Sequence, residues 1–332
     1  MSMHQLSRLR LSQLISAGVL AAGVMAMAMP VQAADYTLKF GHLANEQNIW
    51  NKAAMHFKEQ VEENSDGRIE VQVYPNEQLG NEMDMINSIQ LGTADITITG
   101  ESLQNWAPKA AMMAVPYAFH DSDQLERAVD GDIGSEIEAQ ITERTGLVPL
   151  TWFERGARQL TANREIKTPD DLKGLRLRVP NVPLFVDTWQ ALGARPTPMA
   201  FSEVFTSLQQ GTIDGQENPL SLIESASLSE VQDVVNMTNH VRSWIYVVIG
   251  KRQLEGMPDD LQQVVREAAG DMQSYERELF AEDQTRLEQA LKDKGMTFVE
   301  VDTQAFADKA MPAIKKALDP EQTELLERIE QL

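Results

Sequence analysis

Between Tyr36 and Thr99 the chain switches repeatedly between two hydrophobic periods, and that alternation restricts it to few folds. Tyr36, Leu38 and Phe40 alternate with Thr37 and Lys39, the period of two of a strand. Trp50, Ala54, Phe57 and Val61 then recur at helical spacing until Asp66-Gly67. Ile69, Val71 and Val73 restore the strand period up to Pro75, residues 82–91 read as a helix on Met83, Ile86 and Ile89, and 94–99 as a third strand. Strand, helix, strand, helix, strand in this order predicts a parallel sheet with helices on both faces. Ligand sites in such sheets lie beyond the carboxyl ends of the strands. Two of these ends are polar here, Gly41-His42-Leu43-Ala44-Asn45 and Gly100-Glu101-Ser102.

A second α/β unit is expected downstream. Residues 122–145 have a helical period, 147–153 read as a strand, and at Glu154–Gly156 the chain leaves the first sheet for the second, with Arg158 at the crossing. Thr168-Pro169-Asp170-Asp171-Leu172 has a capping Thr, Pro at the first helical position and acids in the first turn. This turn delivers a strand in which Leu175, Leu177 and Val179 alternate with Arg176 and Arg178, ended by Pro180. A helix carrying Phe185, Trp189 and Leu192, a Pro-rich connection at 195–200 and a helix at 202–210 follow. An apolar strand around 241–249 returns the chain towards the first unit, and 258–294 form a periodic segment too long for an ordinary helix, with Gly270 as its expected bend. A strand at 298–301 and two short helices close the chain. The expected division is 34–157 with about 244–283 in one domain, and 158–243 with about 284–332 in the other. Two lobes joined by several crossings predict a cleft that closes about hinges.

Residues 1–33 read separately, as a secretory leader: Arg8 and Arg10, an apolar run from Leu14 to Met29, and small residues at Val31-Gln32-Ala33. The run is short for a membrane anchor and breaks at Pro30. There is no cysteine, hence no disulfide and no site for a lipid anchor, and a free periplasmic monomer is expected. The formal charge is -21, and a leader with two arginines and no acid takes the mature chain to about -23. That balance excludes nucleic acid as a partner. It also means that any anion site must rest on a few locally placed arginines.

Catalytic signals are sparse. His42, His56, His120 and His240 show no metal-ligand spacing, no Gly-x-Ser-x-Gly elbow occurs, and paired acids carry little weight in a chain with fifty of them. No catalytic residue, metal or cofactor is called for. Arginine forks, an amide and an aromatic ring, in contrast, are what holds the carboxylate and apolar face of a small organic acid. Such groups cluster at Arg158 to Arg164, Arg176 and Arg178, Phe201 to Glu203 and Asp214 to Pro219. Arg176 reads as a surface residue, Glu203 and Glu217 as capping or structural acids, and Trp152 and Trp244 as core or hinge packing. Glu101, at a strand end, could accept bonds from solute hydroxyls or pair with an ammonium, and His240 stands just before the return strand as a further candidate.

Tyr36-x-Leu38-x-Phe40-Gly41, Gln78-Leu79-Gly80, Gly156-x-Arg158-Gln159-x-Thr161-x-Asn163-Arg164, Lys173-Gly174-Leu175-x-Leu177-Arg178-Val179-Pro180 and Asp214-Gly215-Gln216-Glu217-Asn218-Pro219 occur in this order. With the leader, they closely resemble the solute-binding proteins of tripartite ATP-independent periplasmic (TRAP) transporters, the DctP family. The resemblance implies a two-lobed periplasmic binding protein fold with a central cleft, hinge strands and a long bent helix spanning both lobes. It further implies delivery of an organic acid to a membrane permease driven by an ion gradient. On the matching positions, Arg178 corresponds to the principal carboxylate clamp, Arg158 to a second, more distant arginine, Asn218 to the amide that also meets the carboxylate, and Phe201 to the ring stacked on the solute. Residues 196–203 and Gly100-Glu101-Ser102 look like the sialic-acid-binding subgroup, but Leu43 stands where that subgroup has asparagine. The expected solute is a monocarboxylic sugar acid or related hydroxy acid. The alternatives are a C4-dicarboxylate, which needs a second cationic contact, a zwitterion or amine held by Glu101, and, remotely, a secreted sugar-acid-modifying enzyme.

Overall fold

The computed structural model describes residues 33–332, so the leader lies outside the described residues. Among the described residues, eleven strands form two sheets. The first has the order β2 (Ile69–Tyr74), β1 (Tyr36–Gly41), β3 (Ile96–Thr99), β10 (Trp244–Gly250), β4 (Leu147–Glu154). Its β1, β2 and β3 are parallel, as the alternating periods require, whereas β10 enters antiparallel between β3 and β4. Every residue of β10 is buried, because helices cover both faces there. On one face Phe40, Phe57, Val61 and Ile245 pack with Leu261, Val265 and Met272.

The second sheet has the order β11 (Thr297–Glu300), β9 (Val234–Val241), β5 (Arg158–Ala162), β8 (Gly215–Pro219), β6 (Arg176–Val179), β7 (Arg195–Pro198). Residues 195–198, expected as a connection, are thus an edge strand parallel to β6. An edge strand needs N–H donors on one side only, so Pro196 and Pro198 fit there. Strands β5 and β8 carry no apolar alternation, yet all ten of their residues are buried. Their polar side chains bond to one another and to neighbouring strands.

The chain crosses between the sheets at 155–157 and again at 242–243, and the two crossings are tied by Arg155 N–H to the Ser243 carbonyl at 3.0 Å. The helix Asp259–Asp293 makes a third link and runs unbroken through Gly270. Near its start Leu261 and Val265 enter the first lobe's core, and near its end Leu291 packs with Val235 and Ile223 of the second. The last helix, Pro320–Ile329, falls in the second domain of the division given above but lies against the first lobe. Gln322 Nε2 donates to the Pro108 carbonyl at 2.7 Å, Gln124 Nε2 to that of Ile329 at 2.9 Å, and Arg328 pairs with Glu136 at 2.6 Å. An amphipathic period fixes that a helix has a buried face, not which lobe receives it.

Candidate functional site

The carboxyl ends of β1, β3 and β6 face one another across a narrow cleft between the lobes. Arg155, Arg158, Arg178, Glu77, Glu82, Glu101, Asn218 and Phe201 line it, and Leu43, Met83 and Leu222 supply apolar wall. Polar contacts join the two lobes around it: Asn105 Nδ2 to the Asn181 carbonyl at 3.0 Å, and Asn45 Nδ2 to the Ser225 carbonyl at 2.5 Å.

Arg178 is 3% exposed, and the period of β6 that buries Leu177 and Val179 aims it at this cleft. Its Nε and Nη2 both donate to the Met199 carbonyl, at 3.1 and 2.8 Å, which fixes the plane of the guanidinium. Its carbon lies 5.8 Å from the centre of the Phe201 ring. Among the described residues no carboxylate pairs with it. Burial, with Arg158 and Arg155 nearby, lowers its pKa to about 10 even against the pull of Glu217. A cation so stressed is stabilised by an incoming anion. Arg176, two residues earlier, is the exposed partner of Asp214 at 2.5 Å and takes no part in the cleft.

Arg158 is engaged otherwise. Its Nε and Nη2 meet the two oxygens of Glu217 at 2.5 and 2.7 Å, and Nη1 reaches Glu101 Oε1 at 3.5 Å. His240 stands behind this pair and does not line the cleft: Nε2 meets Glu217 Oε2 at 2.8 Å and Nδ1 meets Thr238 Oγ1 at 2.8 Å. The arrangement fits a neutral ring that donates from Nε2 and accepts the threonine proton at Nδ1. Burial keeps His240 from protonating more than Glu217 promotes it. Burial pushes the Glu217 carboxyl up, but Arg158 and His240 outweigh it and hold the pKa at about 2.

Glu101 lines the cleft with its carboxylate already occupied by Arg155 Nη1, at 2.5 and 2.6 Å. Burial opposes its ionisation, and Arg155 and Arg158 together overcome that, so it stays charged. Arg155, 9% exposed, also lies 5.6 Å over the Trp50 ring. It was not among the residues expected from sequence, since no motif or strand period marks a crossing segment. Asn218 is oriented by a relay: its Nδ2 donates to Gln216 Oε1 at 2.6 Å, Gln216 Nε2 to Thr161 Oγ1 at 3.0 Å, and Thr161 Oγ1 to Gln232 Oε1 at 3.1 Å. Asn163 and Arg164 lie away from the cleft, where they bond to Asp233 N–H and the Asp171 carbonyl.

At the end of β1, His42 is 2% exposed, beside the Asn51 side chain and the Ala44 backbone, which only partly offset its burial. Burial lowers its pKa from 6.5 to about 4. A base with a depressed folded pKa contributes stability that is intact above 6.5 and lost as pH falls towards 4, because the unfolded chain takes the proton first. Chemical denaturation at pH 7 and pH 4.5 should therefore show a loss of on the order of 2–3 kcal/mol from this residue. His42→Gln should flatten the slope, and an unchanged slope would assign the loss to other groups.

A cleft between two α/β lobes, floored by a buried arginine that no carboxylate pairs with among the described residues, is the site of a receptor for a small anion. The profile of bacterial extracellular solute-binding protein, family 7 (DctP), matches residues 40–320, and the chain belongs to that family. It is 56% identical over 282 residues to a solute-binding protein of Roseobacter denitrificans, covering 85% of this chain and 87% of the relative. It is also 34% identical over 278 residues to the 2,3-diketo-L-gulonate-binding periplasmic protein YiaO of Escherichia coli, covering 83% and 84%. A crystal structure of a TRAP periplasmic solute-binding protein from Roseobacter denitrificans with bound L-galactonate superposes with a TM-score of 0.88 at 53% identity, over 90% of this chain and 99% of that one. The protein is thus a TRAP solute receptor with a two-lobed fold, of a family whose members are periplasmic and bind organic acid anions for transport.

Proposed function

We infer that this receptor takes a monocarboxylic sugar acid, an aldonate or a uronate, and presents it to its membrane permease without changing it. The observation that carries the reading is Arg178, a buried fork with no carboxylate of its own. In this reading it binds the solute carboxylate through its free edge, Asn218 and Arg158 complete the oxygen's hydrogen bonding, and Phe201 covers the apolar face. Glu101 and His240 act through the arginines, Glu101 by holding Arg155 and His240 by holding Glu217. Solved TRAP receptors resembling this chain carry L-galactonate, D-erythronate and β-D-galacturonate, all of them hydroxylated monocarboxylates. A dicarboxylate is disfavoured because Arg155 and Arg158 are already neutralised by Glu101 and Glu217. An ammonium held by Glu101 is disfavoured because that carboxylate is already taken by Arg155. The same reading has the leader cleaved near Ala34, the mature chain monomeric in the periplasm, and the lobes divided near 157 and 243, with the last helix on the first lobe.

Mass spectrometry of the small molecule released on denaturing the purified protein tests the solute class. A hydroxylated monocarboxylate is expected, left chemically intact on incubation with the protein. A dicarboxylate or an amine in stoichiometric amount would overturn the reading, and a converted product would make the protein an enzyme.

A further inference from the structure

Three acids line the cleft beside the three arginines, and only one of them is engaged neither by an arginine nor within its own lobe. Glu101 is held by Arg155. Glu82 accepts from Thr99 Oγ1 at 2.6 Å, Gly100 N–H at 3.2 Å and Ser102 Oγ at 2.9 Å, and so shapes the end of β3. Glu77 pairs with no cation among the described residues. It sits in the turn after β2, where Asn76 and Glu77 are both left-handed, at φ 56° and 55°. Their N–H groups are tied to the Ala44 and His42 carbonyls at 2.9 and 3.1 Å. Asparagine takes that conformation readily, but glutamate does so at a cost that glycine would avoid. The cost is the kind that persists where a side chain must be aimed. Burial and the neighbouring Glu82 make this carboxyl harder to ionise, against Ser202 of the facing lobe and Arg178.

With Arg158 and Arg155 neutralised, the cleft offers, among the described residues, one cation without a carboxylate, Arg178, and two acids without a cation, of which Glu82 is held by its own lobe and Glu77 is not. We propose that Glu77 is the specificity-determining residue of this receptor: it accepts a hydroxyl proton from the solute and repels a second carboxylate, so that monocarboxylates are chosen over the matching dicarboxylates. A hydroxyl supplies a donor to this half-buried carboxylate, which no cation neutralises among the described residues. A second carboxylate at that place has no free cation to meet and faces Glu77 and Glu82, and such like-charge contact is how a site rejects a near-isostere.

The inference rests on the sugar-acid reading above, and one titration series separates the two. Wild type and Glu77→Gln are titrated calorimetrically with two matched pairs, L-galactonate against galactarate and D-gluconate against D-glucarate. For at least one pair, wild type should prefer the monocarboxylate by about 100-fold or more, and Glu77→Gln should shrink that preference about tenfold by weakening the aldonate, strengthening the aldarate or both. Aldarates that bind wild type as tightly as their aldonates, or a ratio unchanged in Glu77→Gln, would overturn the role of Glu77 while leaving the sugar-acid reading in place. Failure of all four ligands to bind wild type would instead remove the sugar-acid reading, and the inference with it.

Discussion

Arg178→Lys should bind the solute about 10²- to 10³-fold more weakly than wild type, although the charge is kept. The guanidinium is planar, two of its nitrogens are fixed on the Met199 carbonyl, and the remaining edge can meet a carboxylate without reorganising. An ammonium cannot donate to Met199 and to both carboxylate oxygens in that geometry. Arg176→Lys is the internal control. Its guanidinium is exposed and bound to Asp214, so affinity should change by less than about threefold. Near-wild-type affinity in Arg178→Lys would show that the anion is held elsewhere.

Glu217→Gln should lower stability by about 3–5 kcal/mol, the cost of leaving a buried partner uncompensated. Glu217 is wholly buried and serves Arg158 with both oxygens and His240 with one of them. Its removal strands the Arg158 charge with only Glu101 at 3.5 Å. A drop in melting temperature on the order of 5–10 °C is expected in calorimetry. Asp214→Asn, which opens the exposed pair with Arg176, should cost no more than about 1 kcal/mol. The sign of the pH dependence follows from the folded pKa of about 2. A depressed carboxylate contributes stability that is present above its unfolded value, about 4.3, and is lost as pH falls towards 2. Glu217→Gln should therefore lose less stability than wild type on acidification. A variant as stable as wild type would mean that solvent or the fold relaxes around Arg158.

The part of this architecture written in hydrophobic periods was legible in the sequence. The strands at 36–41, 69–74 and 176–179 and the helices between them follow from apolar spacing, whereas that spacing puts Arg176 and Arg178 on one face and does not tell the exposed partner of Asp214 from the cleft residue. The strands that carry the site were harder to read, because RQLTA and GQENP are polar and yet wholly buried. Periodicity identifies a strand by the water on one face, and these have none. Their partners are long-range: Arg158 with Glu217, Thr161 with Gln216, Gln159 with Asn239. The cationic site was found only in part for the same reason. Arg155 becomes a cleft residue only when two crossing segments lie side by side, and His240 looked like a site residue because its place before β10 says nothing of its being behind Glu217. Glu77 is marked by no motif. Its left-handed backbone is a property of the folded turn.

The central claim, that Arg178 holds the carboxylate of the solute, is tested most directly by a double cycle in calorimetry. Wild type and Arg178→Ala are titrated with the tightest-binding sugar acid and with its neutral amide. The account predicts that the amide binds wild type about 100-fold or more weakly than the acid, while Arg178→Ala hardly distinguishes the two. Equal binding of acid and amide to wild type, or the same preference for the acid in Arg178→Ala, would contradict it.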